Sequence, residues 1–438
     1  MDSKYTASPI YFPSERRRRC NSLWVVLFSF VVLVIYYGCS GSLVHLSQVS
    51  THCSNVPPID SVEYLARQTS LAKALQSAGA LAYIAEPGAN TQYFAGFSNT
   101  HWRLSERPLL LVISLNSNGE SQVSIVTPKF EATRAKSLPV YSNSTVSYIE
   151  WPEEVNPYTA TLSHLGITEG IVFIDSAVRK FIADGLEQAS NSEILSAPAE
   201  IKEIRERKSK AEIDILKCAN EATLLAIRQV HKKLHIGIRE SQARSLMSEA
   251  LQTMGLRDGG CLTLFGENAA LPHGSGTDRS LQASDFALFD CTASLHGYYS
   301  DVTRTVALHE SHIPSDHLQI WRSVHKAQHA ASLAAKAGAI TADVDAAARS
   351  SLKKDELDPY FTHRLGHGIG IEVHEQPYLL GGTNDTIKTG HTFSNEPGVY
   401  IEGKVGVRLE DCFYIDEDGK YSFFTQGVGG PSEAPTFP

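Results

Sequence analysis

The stretch HRLGHGIGIEVHE (His363–Glu375) places three histidines and two glutamates within thirteen residues and threads glycines between them. Gly366, Gly368 and Gly370 surround His367, and each glycine would weaken a helix by about 1 kcal/mol. The stretch is therefore not the HExxH helix of zinc proteases. We expect the glycines to let the backbone bend tightly around a ligand. The alternative is a glycine-rich surface turn that carries a stray histidine.

Several carboxylates lie outside this stretch, and two of them have apolar neighbours: Asp290 follows the apolar run Phe286–Phe289, and Glu410 follows Val407 and Leu409. Asp290 and Asp301 belong to FALFDCTASLHGYYSDVTRTVAL, Glu396 belongs to SNEPGVY, and Glu410 belongs to GVRLED. Burying a bare charge is expensive, so such carboxylates need partners, and a metal ion is one such partner. Four carboxylates and the imidazole of His367 carry too much negative charge for one divalent ion and suit two. Oxygen-rich ligation favours Mn²⁺, with Zn²⁺ or Co²⁺ as alternatives.

Together with LPHGSG around His273, these segments resemble the creatinase/aminopeptidase P/prolidase family of metallopeptidases. The five blocks occur in the family's order and approximate spacing. The resemblance extends over residues 60 to 425 and is strongest from residue 265 onward. It implies an α+β protein in which a two-fold pseudosymmetric pita-bread catalytic domain follows a smaller α/β creatinase-type N-terminal domain.

The resemblance also implies a role for each matching residue. Asp290 would be a ligand of one metal ion, His367 and Glu396 ligands of the other, and Asp301 and Glu410 would bridge both. His273, His363 and His374 match the family's catalytic histidines, His273 and Arg408 match substrate contacts, and Thr303 would support the ligands from behind. Two departures, Thr292 in place of glycine and Asn395 in place of an apolar or small residue, affect rate and substrate preference more than metal binding.

The activity implied is that of a dinuclear metal-dependent exopeptidase that hydrolyses Xaa-Pro bonds at the N-terminus of short peptides. A metal-bridging hydroxide would be the nucleophile. A bond to proline is a tertiary amide without an N–H group, so proteases that need that group fail on it. The motifs do not separate aminopeptidase P from prolidase. The alternative is a catalytically silent or metal-free protein of the same fold that binds peptide or a small amidino substrate. Relatives suggest a homodimer.

The chain divides into segments by composition. A helix up to Gly79 and strands at Pro108–Leu115, Ser121–Pro128 and Gly170–Asp175 predict the α/β domain at 59–205. The charged run EIKEIRERKSK marks the boundary to the metallopeptidase domain at 206–428, which is followed by a tail at 429–438. Ser209 and Glu212 predict a capping box that opens a helix through about Leu234. A second helix is predicted from about Ser315 to Ala337.

The N-terminal region has the pattern of a membrane anchor. Arg16–Arg19 precede LWVVLFSFVVLVIYY, which with its flanks has roughly the 20 residues needed to cross a bilayer. We expect a cytosolic tail (1–22), a transmembrane helix (23–38) and a stalk (39–58). The positive-inside rule then places the catalytic domain in the lumen or outside the cell. The alternative is a cleaved signal peptide and a secreted protein.

Charge and cysteine content exclude other classes. A net charge of −9 argues against a nucleic-acid partner. The seven cysteines are an odd number without C-x-x-C spacing, so we expect no zinc knuckle, redox motif or disulfide framework. The glycosylation sequons at Asn143 and Asn384 would be usable only in the lumenal orientation.

Overall fold

The computed structural model of the protein describes residues 52–274 and 276–438. The predicted cytosolic tail (1–22), the anchor (23–38) and most of the stalk (39–58) lie outside the described residues. Among the helices that the structure describes, none is both long and apolar enough to cross a membrane.

The first half of the described chain is an α/β domain with a mixed six-stranded sheet. The strands are β1 (Ala80–Ala85), β2 (Leu110–Leu115), β3 (Ser121–Pro128), β4 (Ser147–Trp151), β5 (Glu169–Ile174) and β6 (Asn191–Ser196). Their order across the sheet is β4-β3-β2-β1-β5-β6. The three predicted strands are confirmed as β2, β3 and β5.

Helices cover this sheet. They are α1 (Ser61–Ser77), α2 (Ala89–Ala95), α3 (Ala132–Ala135), α4 (Pro157–Leu165), α5 (Lys180–Ala189) and α6 (Ala199–Glu206). Helix α1 begins where the Asp60 side chain accepts a hydrogen bond from the Val62 amide, as an N-cap residue does. It ends just before Gly79, whose positive φ suits a helix terminus.

The second half repeats one arrangement twice: two helices followed by antiparallel strands. The first copy comprises α7 (Lys210–His231), α8 (Glu240–Thr253), β7 (Arg257–Phe265), β8 (Ala287–Leu295) and β9 (Tyr298–Val306). The second comprises α9 (Ser315–Ala334), α10 (Thr341–Lys353), β10 (Gly366–Gly368), β11 (Glu375–Leu379), β12 (Thr392–Asn395), β13 (Gly398–Ile401), β14 (Val405–Arg408), β15 (Asp411–Ile415) and β16 (Tyr421–Phe423). This repetition gives the expected two-fold pseudosymmetry.

The predicted capping box is confirmed, because the Ser209 hydroxyl accepts from the Glu212 amide and the Glu212 carboxylate accepts from the Ser209 amide. Helix α9 begins at Ser315 as predicted and ends slightly earlier than predicted. Helices α8 and α10 were not predicted. Their N-cap residues are Arg239 and Ile340, which lack the short polar side chain that marks a helix start in sequence.

Buried apolar side chains form separate clusters on the two faces of the first sheet. One cluster, which includes Ile84, Val112 and Leu162, lies under α4 and α5. The other includes Leu71 and Phe94 and continues into the second half of the chain through Leu216 and Phe289. A third cluster, around Trp321 and Phe393, is the core of the second copy. The first domain therefore shares a core with the first copy.

The expectation that the cysteines form no disulfides was wrong. Cys53 and Cys218 form a disulfide, as do Cys261 and Cys291, although the sequence suggested no disulfide framework. The end of the predicted stalk is thus fixed to α7. The predicted tail is packed as well: Arg228 donates to the Pro438 carbonyl oxygen, and the Ala307 amide donates to the Pro435 carbonyl oxygen.

Candidate metal centre

The β8–β9 hairpin presents two of the predicted ligands on one face. Asp290 lies opposite Thr303 and Thr292 lies opposite Asp301, so these four side chains share a face of the sheet. Asp301 is buried and Asp290 is half-buried. The short spacing between the two strands, and not the loop that joins them, therefore sets the separation of the two carboxylates.

The other three predicted ligands come from the second copy. His367 is the central residue of β10, Glu396 follows β12, and Glu410 stands between β14 and β15. His367 and Glu410 are buried. The His367 amide donates to the Ser394 hydroxyl, and the Glu410 amide donates to the Thr303 carbonyl oxygen. The second of these bonds joins the two copies directly behind the site.

The glycines of His363–Glu375 do not serve the purpose that was expected, which was a tight bend of the backbone. None of Gly366, Gly368 and Gly370 has a positive φ angle, so the backbone does not need glycine for its conformation at these positions. They permit close packing instead. A methyl group added at Gly366 would overlap the Ser394 carbonyl oxygen, and one at Gly368 would come within 2.5 Å of the Gln376 carbonyl oxygen.

The structure brings all five predicted ligands together. Potential ligand atoms lie within 4.8 Å of one another in each of two overlapping sets: Asp290, Asp301 and Glu410, and His367, Glu396 and Glu410. His367 Nε2 is 3.2 Å from Glu396 Oε1 and 3.6 Å from Asp301 Oδ2. Glu410 belongs to both sets, and Asp301 links the first set to His367.

Unpartnered oxygens test whether these residues fit metal ions. Asp301 Oδ1 and Glu410 Oε1 are buried and have no hydrogen-bond partner in the structure. A buried carboxylate oxygen without a donor is costly, and coordination to a cation would satisfy it. The two orphaned oxygens belong to the two residues expected to bridge. The donor set of four carboxylates and one imidazole therefore fits two divalent ions.

The carboxylates of the cluster lie close enough together to change one another's pKa values. Burial, and then the neighbouring Asp290 and Glu396, raise the pKa of Asp301 well above its ordinary value. Burial and the neighbouring Asp301 raise the pKa of Glu410 in the same way. Burial would also raise the pKa of Glu396, but the hydrogen bond and charge of His367 lower it to about 2. Bound cations would relieve the repulsion between these groups.

A connected set of side chains supports the ligands. Arg408 Nη2 donates to Asp290 Oδ2 at 2.6 Å, and the Thr303 hydroxyl donates to Glu410 Oε2 at 2.6 Å. Arg408 Nη1 donates to the Tyr400 hydroxyl oxygen at 2.7 Å. The Tyr400 oxygen is in turn 2.9 Å from His363 Nε2. Tyr400 was missed in the sequence, although it closes the SNEPGVY block.

These contacts fix the tautomer of His363. Since Arg408 donates to the Tyr400 oxygen, the Tyr400 hydroxyl proton is free to point to His363 Nε2. His363 Nδ1 then carries the proton and donates to the Arg364 carbonyl oxygen at 2.7 Å. Burial lowers the pKa of His363, in keeping with a neutral ring. Both ring nitrogens are therefore engaged within the protein.

The remaining predicted histidines are more accessible. The His374 ring packs edge-on against His367, with 4.2 Å between ring centroids. Partial burial and the nearby His367 lower the pKa of His374 to about 4, so its ring is neutral at pH 7. His273 is exposed in the loop after the 3₁₀ turn Gly266–Ala270. Arg408 Nη1 is 3.5 Å from the Pro272 carbonyl oxygen, which places this loop beside the cluster.

The second departure from the family pattern, Asn395, makes contacts away from the cluster. Its amide donates to the Gln328 carbonyl oxygen and the Ser332 hydroxyl, both on α9. Gln328 also donates to Asp411, whose carboxylate pairs with the fully buried Arg304. Arg304 donates to the Glu410 carbonyl oxygen as well. This buried network, which was not predicted, fixes the backbone of Glu410 from behind.

A cavity of about 980 Å³ lies between the first domain and the second half of the chain. Its walls include Glu86 and Asp175 from the first domain, and Tyr299, Glu372 and Val373 from the second half. None of the five clustered ligands lines it, although Val373 directly precedes His374. The cavity therefore adjoins the loop that carries His374.

A buried carboxylate–imidazole cluster between two pseudosymmetric halves defines a metallopeptidase of the pita-bread class, and comparisons with known proteins agree. Residues 214–417 match metallopeptidase family M24, and residues 67–207 match the creatinase/prolidase N-terminal domain. An uncharacterised peptidase of Schizosaccharomyces pombe is 38% identical over 363 residues, which cover 81% of this chain and 80% of the relative. The chain belongs to metallopeptidase family M24, with a creatinase-type N-terminal domain.

Solved structures show the same relationship. The crystal structure of the dipeptidase PepE from Mycobacterium ulcerans matches with a TM-score of 0.75 and 29% identity, over 84% of this chain and 97% of that one. A prolidase from Thermococcus sibiricus matches with a TM-score of 0.71 and 27% identity, over 84% and 98%. The similarity extends over nearly the whole length of both relatives.

Proposed function

We propose that this metallopeptidase is a dinuclear exopeptidase that hydrolyses Xaa-Pro bonds at the N-terminus of short peptides. The observation that carries the proposal is the pair of buried, unpartnered oxygens on Asp301 and Glu410 within a five-ligand cluster. The preference for proline rests on the likeness to a prolidase. Mn²⁺ suits the oxygen-rich donor set, with Zn²⁺ or Co²⁺ as alternatives.

The two overlapping sets of ligands support an assignment of particular ligands to each of the two ions. Asp290 would hold one ion, His367 and Glu396 would hold the other, and Asp301 and Glu410 would bridge. Bound ions would supply an acidified water and positive charge for the developing oxyanion. The negative charge of Asp290 is shared with Arg408, so loading of its ion has to compete with this ion pair.

The histidines divide into two kinds by their contacts. His374 is partly exposed, neutral and packed against His367, so its ring N–H can donate a hydrogen bond to an oxyanion near the cluster. Both ring nitrogens of His363 are engaged, one by Tyr400 and one by the Arg364 carbonyl oxygen, so His363 serves to hold Tyr400 in position. His273 is exposed beside the cluster and is suited to a substrate contact. Through the Tyr400 hydroxyl, Arg408 connects His363 to Asp290.

Hydrolysis of paired peptides tests the proposal. An Xaa-Pro dipeptide and an Xaa-Pro-Xaa tripeptide are incubated with the metal-stripped protein, with and without added Mn²⁺, and His367→Ala is the control. We expect metal-dependent cleavage that the variant lacks, and the preferred length separates prolidase from aminopeptidase P. Two bound metals without cleavage of either peptide would point to a different substrate, and a protein that binds no metal would contradict the proposal.

We also propose that the chain is a single-pass membrane protein with its peptidase domain in the lumen or outside the cell. The two disulfides support an oxidising compartment. Asn143 and Asn384 are both exposed, as glycan acceptors need to be. The anchor itself rests on the apolar sequence at 23–38 alone.

A further inference from the structure

The segment that joins the two domains carries a buried lysine. Lys208 lies between α6 and α7, and its side chain is only 1% exposed. Its ammonium nitrogen is 2.5 Å from Glu375 Oε1, and the Glu375 side chain is 2% exposed. The Lys208 amide also donates to the Gly390 carbonyl oxygen. Burying a charge pair this deeply costs desolvation energy, and apolar residues of similar volume would often stabilise the fold as well. The pair therefore calls for an explanation other than stability.

Glu375 directly follows His374, and its second oxygen holds the loop that contains this histidine. The loop comprises residues 369–374, between β10 and β11. Glu375 Oε2 accepts from the Glu372 amide at 3.4 Å and lies 3.5 Å from Arg205 Nη2. Arg205, at the end of α6, also pairs with the Glu372 carboxylate at 2.6 Å. The loop is thus held from the side of the first domain by two cations.

The loop also has contacts away from the ion pair: the Tyr299 amide donates to the Gly370 carbonyl oxygen, the Thr392 hydroxyl donates to the Ile369 carbonyl oxygen, and the Ile369 side chain is buried. Ile371, Glu372 and Val373 all line the cavity between the domains. On the protein side, Gly370 rests directly on the ion pair: a methyl group there would come within 2.8 Å of Glu375 Oε1 and 2.9 Å of Lys208 Cε. The ion pair therefore lies directly under Gly370 and supports the part of the loop that leads to His374.

The geometry points to Lys208 and Glu375 as positioning residues that keep the 369–374 loop in place, so that His374 faces His367. This inference rests on the proposed function in one respect, namely that His374 contacts the substrate. It gives the charged segment between the domains a role in the reaction, because a linker residue sets the position of a histidine at the metal centre.

A double-mutant cycle in the full-length protein separates positioning from simple stability. The variants are Lys208→Met, Glu375→Met and the double variant, and the exposed Lys210→Met is the matched control. Each single variant leaves one buried charge without its main partner, so its melting temperature should fall. The double variant has no unpaired charge and should regain most of that stability. It still lacks the hydrogen bonds that hold the loop.

We expect the double variant to keep a kcat about 10- to 100-fold below wild type, with KM and Mn²⁺ affinity changed by less than about threefold. Hydrogen exchange of the peptide containing residues 369–375 should be faster than in wild type at equal global stability. Recovery of kcat together with melting temperature, or unchanged exchange in this peptide, would overturn the inference. Hydrogen exchange is measured without substrate. A wild-type protein that cleaves no Xaa-Pro peptide would therefore refute the proposed function, while the exchange measurement would still test whether the ion pair positions the loop.

Discussion

Two groups of residues stand out in the metal centre: ligands that keep a buried oxygen without a donor, and neighbouring residues that are hydrogen-bonded to one another. Asp301 and Glu410 belong to the first group. Tyr400, Arg408 and His363 belong to the second, and they form one chain of contacts that ends on Asp290. The first group should control metal binding, and the second should control the rate.

Tyr400→Phe tests this division. The change removes the hydroxyl that joins Arg408 to His363 and leaves the ring in place, so the ligands should stay where they are. We expect kcat to fall about 10-fold or more while Mn²⁺ content is unchanged. Steady-state kinetics and metal analysis measure both, with Tyr360→Phe, an exposed tyrosine, as control. Loss of metal from Tyr400→Phe would assign this residue to the first group.

At the scale of elements, β10 is a tightly packed strand of the site, because its glycines lie directly against β12 and β11. In Gly366→Ala, the new methyl group would overlap the backbone of Ser394, which no side-chain movement relieves. We expect β10 and His367 to shift, with a loss of about 1–3 kcal/mol in the free energy of unfolding and weaker metal binding. Denaturant titration and calorimetry measure these effects.

The control for that prediction is Gly381→Ala, since the nearest atom to its new methyl group is 3.7 Å away and its φ is not positive. Wild-type stability and metal binding in both variants would contradict the account of β10.

Sequence patterns predicted the elements that have strong local signals and missed those that do not. The Ser209–Glu212 capping box and strand β3 were found because their residue types act locally. Helices α8 and α10 were missed because Arg239 and Ile340 do not mark a helix start. The glycines of β10 were recognised as important, but their reason, contact with a strand far along the chain, is a tertiary one.

For the whole molecule, the ordered motifs predicted the pita-bread fold. They also predicted that five residues far apart in sequence meet at one site, as the structure shows. The disulfides were not predictable in the same way, because Cys53 and Cys218 are 165 residues apart and only the fold brings them together. Tyr400, Arg304 and Lys208 were also missed, since each acts through partners from other elements. Their residue types alone do not distinguish them from solvated or core positions.

Expression in cells tests the location of the whole molecule. We expect the protein in the membrane fraction after carbonate extraction, with a mass that falls on removal of N-glycans and does not fall in the Asn143→Gln/Asn384→Gln variant. Those glycans form only in the lumen, so they report the orientation of the peptidase domain. A glycosylated protein recovered from the medium would favour a cleaved signal peptide, and an unglycosylated cytosolic protein would contradict both.

The most direct test of the central claim is the number of metal ions bound per chain, measured by elemental analysis after loading with Mn²⁺ and removal of free metal. The account predicts two ions in the wild-type protein, and fewer in Asp301→Asn and in His367→Ala, together with loss of Xaa-Pro hydrolysis. Wild-type protein that cleaves these peptides without bound metal, or variants that keep both ions, would contradict it.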